Sequence, residues 1–468
     1  MEREKLKSRL GFILLSAGCA IGVGNVWKFP WMCGHYGGGI FVLLYLVFLV
    51  ILGLPVMIME FSIGRASQAS PVKCFQALEK PKQKWHLHGL LALTANILLM
   101  MFYTSVAGWI LYYFVSFVKG DMTGISSSQS EALFGNMLSN PYIMVGFMAL
   151  VVIIGFIILS FGLQNGVERI TKYMMICLLF LMIVLAIHSF TLSGAKAGLE
   201  FYLKPDISKI NGNVVVGAMN QAFFTLSLGI GSMAIFGSYI GKEHSLMGES
   251  INILVLDTFV AVVSGLIIFP VCFTFNVKPG AGPSLLFVAM AKVFNSMSGG
   301  RLWGSLFFLF MFFAAMSTVI AVFQNILACV MELTGWKRIK TCLICGFAIL
   351  ILSLPCALGY NILGNFHPFN SGTNILDLED FAVSNCLLPL GSLIYVLFCT
   401  SKSGWGFDNF LAEANSGRGM KLKRWMRPYM TYVLPLIIIT IFIIGIVTFE
   451  FSDGFTIWSS IKNLIAPH

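Results

Sequence analysis

Residues 10–33 read LGFILLSAGCAIGVGNVWKFPWMC, and residues 213–239 read NVVVGAMNQAFFTLSLGIGSMAIFGSY. Each is apolar enough and long enough to cross a hydrocarbon layer, for which about 20 residues suffice. Each also carries glycines in its middle rather than at its ends: Gly18, Gly22 and Gly24 in the first, Gly229 and Gly231 in the second. Glycine costs a helix interior about 1 kcal/mol relative to alanine and lets the backbone leave helical geometry. Two membrane spans interrupted at their centres are the pattern from which the rest is read.

Around these two segments the 468 residues are 57% hydrophobic and 11% charged, with 42 Phe and a mean hydropathy of +0.86. Soluble domains carry about 25% charged residues, so a soluble multidomain enzyme is excluded. Apolar segments fall at 10–33, 40–64, 88–118, 142–162, 170–192, 213–239, 249–276, 303–332, 341–359, 381–400 and 429–450. They are too long for barrel strands and do not alternate, and hydrocarbon demands that each backbone amide be satisfied within the segment. The fold class is therefore an all-α integral membrane protein with eleven transmembrane helices, one domain over residues 1–468. Spans 1–5 (10–192) and spans 6–10 (213–400) place the two glycine clusters at matching positions of two halves, with span 11 (429–450) appended. For a lone Gly, close helix packing is the better explanation. Two clusters in register beside Asn25, Thr225 and Ser227 point instead to an ion and substrate site made of unwound backbone at the midplane.

The formal charge of +10 has an address. Arg3, Lys5, Lys7 and Arg9 precede span 1, and Arg65, Lys73, Lys80, Lys82 and Lys84 follow span 2. Arg169 and Lys172 follow span 4, Lys242 span 6, and Lys337, Arg338 and Lys340 span 8, with Lys402, Arg418, Lys421, Lys423, Arg424 and Arg427 after span 10. These are 21 of the 30 Lys and Arg, all on one side. The positive-inside rule then puts the N-terminus in the cytoplasm and the C-terminus, with Glu450 and Asp453, outside. No nucleic-acid partner is implied. Of the 20 acids, two, Glu60 and Asp257, fall within the bilayer. The 11 Cys lie mostly in apolar segments, and no disulfide framework follows. Cys342 and Cys345 have CxxC spacing without a second pair, His86 and His88 flank Leu87 in a loop, and neither pair is read as a metal site. MEREKLKSRLGF shows no removable leader, and no GxxxxGK[ST] motif argues for ATP drive.

The motifs become specific together. Span 1 continues as Gly24-Asn25-Val26-Trp27-Lys28-Phe29-Pro30, and span 6 contains Gln221, Phe224-Thr225, Ser227 and Gly229-Ile230-Gly231. With Gly37-Gly38-Gly39, Gly53-Leu54-Pro55 through Glu60 to Gly64-Arg65, and Ala314 to Ser317-Thr318, the chain resembles the neurotransmitter:sodium symporters from Arg3 to about residue 450. The resemblance implies a bacterial plasma-membrane transporter of sodium and an amino acid or amine, with 5+5 inverted repeats and broken helices 1 and 6. Two sodium ions are implied, and the charge of Asp257 leads to the expectation of no chloride requirement. The first sodium would use Ala20, Asn25, Thr225, Asp257 and the substrate carboxylate, the second Gly18, Ile21, Ala314, Ser317 and Thr318; oxygen donors suit a hard cation. Many relatives place Asn where this chain has Asp257, and Ala261 stands where some chloride-independent ones have Glu. An intramembrane carboxylate is functional by default, so Asp257 is expected to supply the charge that chloride supplies elsewhere. Glu60 is read as a partner of unwound span 6 backbone.

Amine transporters of the family carry Asp where this chain has Gly22, so the resemblance favours an α-amino acid that brings its own carboxylate. Its carboxylate would meet the amides of Val23 and Gly24 and the Tyr103 hydroxyl, and its ammonium the carbonyls around Cys19 and Ala20 with Ser227. The side chain would sit among Leu99, Phe224, Ile230, Ala321 and Val322, all apolar, so a hydrophobic or aromatic amino acid is expected; Thr225 and Thr318 also belong to the substrate site that the resemblance implies. Lys28 with Asp380 matches an outer gate and Arg3 with Glu332 an inner one. Lys28 replaces the usual Arg and forfeits its bidentate fork. Leu6 and Ile176 depart from family positions that bear on inward opening. A sodium-independent exchanger on the same scaffold and an amino acid receptor that moves nothing are the alternatives; an enzyme has no constellation to support it. Membrane lipid and the amino acid are the partners expected.

Overall fold

The computed structural model describes residues 4–122, 127–277, 285–452 and 455–457. Arg3 of the expected inner gate and Asp453 lie outside the described residues. The first span is α1 (Arg9–Ala20) and α2 (Gly24–His35), which meet at 54°. Ser8 caps α1 by accepting from the Gly11 amide at 2.9 Å, and the helix stops because Ile21 turns extended just before Gly22. Then come α3 (Gly39–Ser67), α4 (Leu87–Lys119), α5 (Pro141–Ser160) and α6 (Leu163–Phe190). The second interrupted segment is α7 (Gly212–Thr225) and α8 (Ser232–Gly237). It is followed by α9 (Leu246–Thr274), α10 (Gly300–Thr334), α11 (Arg338–Leu358), α12 (Ile375–Thr400) and α13 (Arg424–Val447).

Among the described residues nine helices are long and apolar enough to cross a membrane, and ten if α1 and α2 count as one span. The remaining expected span, 213–239, is α7 and α8, too short singly to pass the same test. Two further boundaries differ from expectation. Span 10, read from 381, starts as helix at Ile375, where Asn374 and Asp377 form a capping box. Asp377, Glu379 and Asp380 in those first turns mask the helix from a hydropathy reading, and Glu379 is buried, as Glu168 and Glu249 are in α6 and α9. Span 11, read to residue 450, ends as helix at Val447, and β1 (Glu450–Ser452) pairs antiparallel with β2 (Phe455–Thr456).

Two packed groups hold the interrupted helices between them. In one, α10 runs along α4, and α4 and α11 pack on α5; in the other, α3 contacts α7, α8 and α9. The first half-helix, α1, lies against α10, α9 and α6. Backbones of α3 and α8 touch: a Cβ on Gly64 would stand 1.8 Å from the Ala234 carbonyl oxygen, and one on Gly237 2.5 Å from that of Phe61. Hydrocarbon gives helices no hydrophobic drive to associate, so such small-residue contacts carry the packing. Gly64→Ala is expected to abolish recovery of monodisperse protein, whereas Gly146→Ala, with nothing within 4 Å of the new methyl, leaves it unchanged. Fluorescence-detected size exclusion of the two variants is the check.

Candidate functional site

The two breaks release backbone groups, and buried side chains take them up. At the first, the Gly22 amide donates to Asn25 Oδ1 at 3.2 Å and the Val23 amide to Tyr103 Oη at 2.9 Å. The Gly24 carbonyl accepts from Gln221 Nε2 at 3.0 Å, so α7 satisfies α2. At the second, Ser227, Gly229 and Gly231 all have positive φ, at 49°, 92° and 76°, a region that favours glycine. The Gly229 amide donates to Glu60 Oε1, and that of Met233 to Glu60 Oε2 at 3.2 Å. The Ile230 carbonyl accepts from Asn96 Nδ2 at 2.7 Å, and Asn325 Nδ2 donates to Asn96 Oδ1 at 3.2 Å. Asn96, Gln221 and Asn325 are almost fully buried. Sequence reading passed over these roles; an amide side chain inside an apolar run was the available signal, because in hydrocarbon it must have a partner.

Oxygen atoms gather at two points beside the first break. Thr318 Oγ1 stands 3.3 Å from the carbonyl oxygens of Gly18, Cys19 and Ile21, and Ser317 Oγ is 3.3 Å from that of Ile21 and 2.9 Å from that of Ala314. Well-formed O–H···O bonds are about 2.5–3.0 Å, so most of these separations are long for hydrogen bonds. They match instead the roughly 3.4 Å between neighbouring oxygens arranged octahedrally at about 2.4 Å around a cation of calcium-like radius, which sodium has. The second gathering centres on Asp257, fully buried in α9. Asn25 Nδ2 donates to its Oδ1 at 2.8 Å, and Thr225 Oγ1 lies 3.5 and 3.4 Å from its two oxygens and 3.4 Å from Tyr45 Oη. Among the described residues no Lys or Arg pairs with Asp257. No cluster of three His, Cys, Asp or Glu suited to a transition metal occurs among them either.

Between the breaks is a narrow cavity lined by Cys19, Ala20, Gly22, Gly24, Leu99, Tyr103, Phe224, Ser227, Ile230, Thr318 and Leu388. Leu388 is a wall that sequence reading did not name; Ala321 and Val322 are fully buried but not among the lining residues. A Cβ on Gly22 would lie 2.4 Å from Tyr103 Oη and 2.5 Å from Thr318 Oγ1, so this position admits no side chain without displacing both. Gly24, Tyr103 and Phe224 also line a wider cavity of about 220 Å³ and so form the partition between the two. Over that partition Lys28 Nζ sits 3.8 Å from the Phe224 ring centroid and 3.7 Å from Asp380 Oδ2.

The face carrying the N-terminal segment is closed by different contacts. Glu332 accepts from the Ser70 amide at 3.0 Å and from Ser70 Oγ at 2.6 Å. Glu168 accepts from the amides of Lys7 and Ser8 at 2.7 and 3.1 Å. Arg9 pairs with Glu249 at 2.8 Å, and Arg338 reaches Glu4 at 3.1 Å and Gln324 at 2.6 Å. Gln324 in turn donates to Tyr239 Oη at 2.8 Å, and the Leu6 amide to the Tyr239 carbonyl at 3.2 Å. Ile176 is exposed on the outside of α6.

Known proteins share this architecture. Residues 3–130 and 137–460 match the model of the sodium:neurotransmitter symporter family. The uncharacterized sodium-dependent transporter YhdH of Bacillus subtilis (strain 168) is 34% identical over 452 residues, covering 94% of this chain and 98% of that protein. The sodium- and chloride-dependent taurine transporter of Bos taurus is 26% identical, over 96% of this chain and 79% of its own length. The crystal structure of MhsT in complex with L-phenylalanine superposes with a TM-score of 0.86 at 35% identity, covering 95% of this chain and all of that one. Independently of these likenesses, Glu60→Ala strips two buried amides of their acceptor, at about 1–3 kcal/mol each. It is expected to lower the thermal midpoint of the detergent-solubilised protein, with Glu60→Gln, which keeps one acceptor oxygen, falling between.

Proposed function

Since the chain belongs to the sodium:neurotransmitter symporter family and is a sodium-coupled transporter rather than an enzyme, we propose that it imports a hydrophobic or aromatic α-amino acid by alternating access without chloride. Eleven spans, with α7 and α8 as one interrupted crossing, form two inverted repeats and an added helix in a bacterial plasma membrane, N-terminus inside. One sodium takes Ala20, Asn25, Thr225 and Asp257, the other Gly18, Ile21, Ala314, Ser317 and Thr318. The observation that carries the reading is Asp257: a buried carboxylate beside Asn25 and Thr225 with no basic partner among the described residues. It can balance a sodium ion by itself, and desolvation makes that pairing strong.

The substrate's carboxylate completes the first ion shell, which couples the two fluxes, because neither site is whole without the other occupant. Tyr103 Oη and the amides of Val23 and Gly24 hold that carboxylate, while Cys19, Ala20 and Ser227 lie toward the ammonium. The apolar walls Leu99, Phe224 and Ile230, and Ala321 and Val322 behind them, favour an apolar side chain, and the L-phenylalanine bound to MhsT supports the same class. Lys28 and Asp380 close the outer side, and Arg3 with Glu332 the inner. The 3.7 Å separation of Lys28 and Asp380 suits a looser gate than a bidentate arginine would make.

Uptake of the twenty amino acids into proteoliposomes, in sodium and in choline, tests the reading. Concentrative uptake of apolar amino acids is expected in sodium alone. Persistence in choline would favour sodium-independent exchange, and binding without accumulation a receptor. Asn25→Ala and Thr318→Ala are each expected to raise the sodium concentration for half-maximal uptake about tenfold, equal to losing one charge-assisted ligand. The unaltered protein is expected to work equally in chloride and gluconate, with Asp257→Asn becoming chloride-sensitive. Chloride-dependent uptake by the unaltered protein would overturn the role given to Asp257.

A further inference from the structure

The chain beyond α13 returns to the gate. Phe449 and Phe451 enter a cluster with Phe381 of α12 and Phe369 of the loop before it. The Phe381 and Phe449 ring centroids lie 4.1 Å apart, those of Phe369 and Phe449 4.8 Å, and those of Phe381 and Phe451 5.6 Å. Phe381 directly follows Asp380, whose Oδ1 accepts from Ser384 Oγ at 2.6 Å while Oδ2 faces Lys28. Phe449, Phe381, Asp380 and Asn385 line one cavity of about 220 Å³. A second tie lies one turn on, where Asn385 Nδ2 donates to the Gly445 carbonyl of α13 at 3.1 Å.

The local geometry of α12 explains why Asp380 needs outside support. Only six residues of α-helix, Ile375–Asp380, precede a π-helical stretch over Phe381–Leu387. Such stretches interrupt the regular ladder and are places where helices bend. The direction in which Asp380 points is therefore not set by continuity with the long remainder of α12. Ser384 within that stretch holds one carboxylate oxygen of Asp380, and the rings of Phe449 and Phe451 brace Phe381 at the same junction, tilted and edge-on, in the arrangements aromatic pairs prefer.

We propose that Phe449 and Phe451 are positioning residues of the outer gate: by clamping Phe381 they hold Asp380 toward Lys28 and slow escape of bound substrate to the outside. The proposal rests on the reading of Lys28 and Asp380 as a gate. Dissociation of tritiated L-phenylalanine from the full-length purified protein in sodium tests both. Phe449→Ala is expected to speed dissociation about three- to tenfold, the span of one lost aromatic pair, without slowing association; Phe449→Leu restores part of it. Asp380→Ala is expected to speed dissociation at least as much, and the double variant no more than Asp380→Ala alone, as coupled residues require. If Asp380→Ala speeds release and Phe449→Ala and Phe451→Ala do not, the clamp is wrong and the gate stands. If Asp380→Ala leaves release unchanged, or the unaltered protein holds no L-phenylalanine in sodium, the underlying reading falls with it. Should Phe449→Ala fail to yield folded protein, Phe449→Leu and Phe451→Leu decide by the same comparison.

Discussion

A polar backbone group inside hydrocarbon must find its partner within the protein, and this molecule breaks two helices at its centre. The rest of the structure follows from how the released groups are met. Glu60 reaches from α3 to the amides of Gly229 and Met233, Asn96 from α4 to the carbonyl of Ile230, and Gln221 from α7 to the carbonyl of Gly24. Each donor or acceptor comes from a different helix from the one it satisfies. The breaks therefore do not loosen the bundle; they tie α3, α4 and α10 to the unwound segments and fix where the carbonyls that remain free can point.

The carbonyls at the end of α1 point toward α10, where Ser317 and Thr318 await them at separations better suited to sharing a cation than to sharing a proton. Glycine is required at 22 because the hydroxyls of Tyr103 and Thr318 occupy the space a side chain would need. The crowding at Gly22 and the gathering of oxygens at Ser317 and Thr318 are two consequences of one geometric fact, the close approach of α1, α4 and α10.

The two ends of the pathway are closed by unlike means. Toward the Lys28 side a single ammonium bridges an aromatic ring and one carboxylate, and the element carrying that carboxylate is short and followed by a π-helical stretch. On the N-terminal side several separate contacts, from Glu168, Glu249, Arg338 and Tyr239, hold residues 4–9. Breaking the first closure costs one partly exposed ion pair, which is worth little, whereas the second requires several bonds to give way together. The protein thus has a lightly latched side and a firmly latched one.

Composition and hydropathy alone determined that the chain is a bundle of membrane helices, because 57% hydrophobic residues with few charges leave no other stable arrangement. The glycine clusters marked both breaks, since glycine's cost in a helix is visible without coordinates, and Asp257 and Glu60 stood out as acids with nowhere to be solvated. Other features depended on distance across the fold. Asn96, Gln221 and Asn325 are visible in sequence only as amides inside apolar runs, and which freed carbonyls they serve depends on where other helices bring them. The start of α12 was hidden because its first turn is acidic and hydropathy averages it away, which concealed Glu379 as well. Phe369, Phe381, Phe449 and Phe451 are four among 42 phenylalanines; only the return of the chain after α13 sets them against one another. Burial is written in the kind of residue, and partnership in where the chain brings it, which is why the membrane fold was legible beforehand and the supports of its site were not.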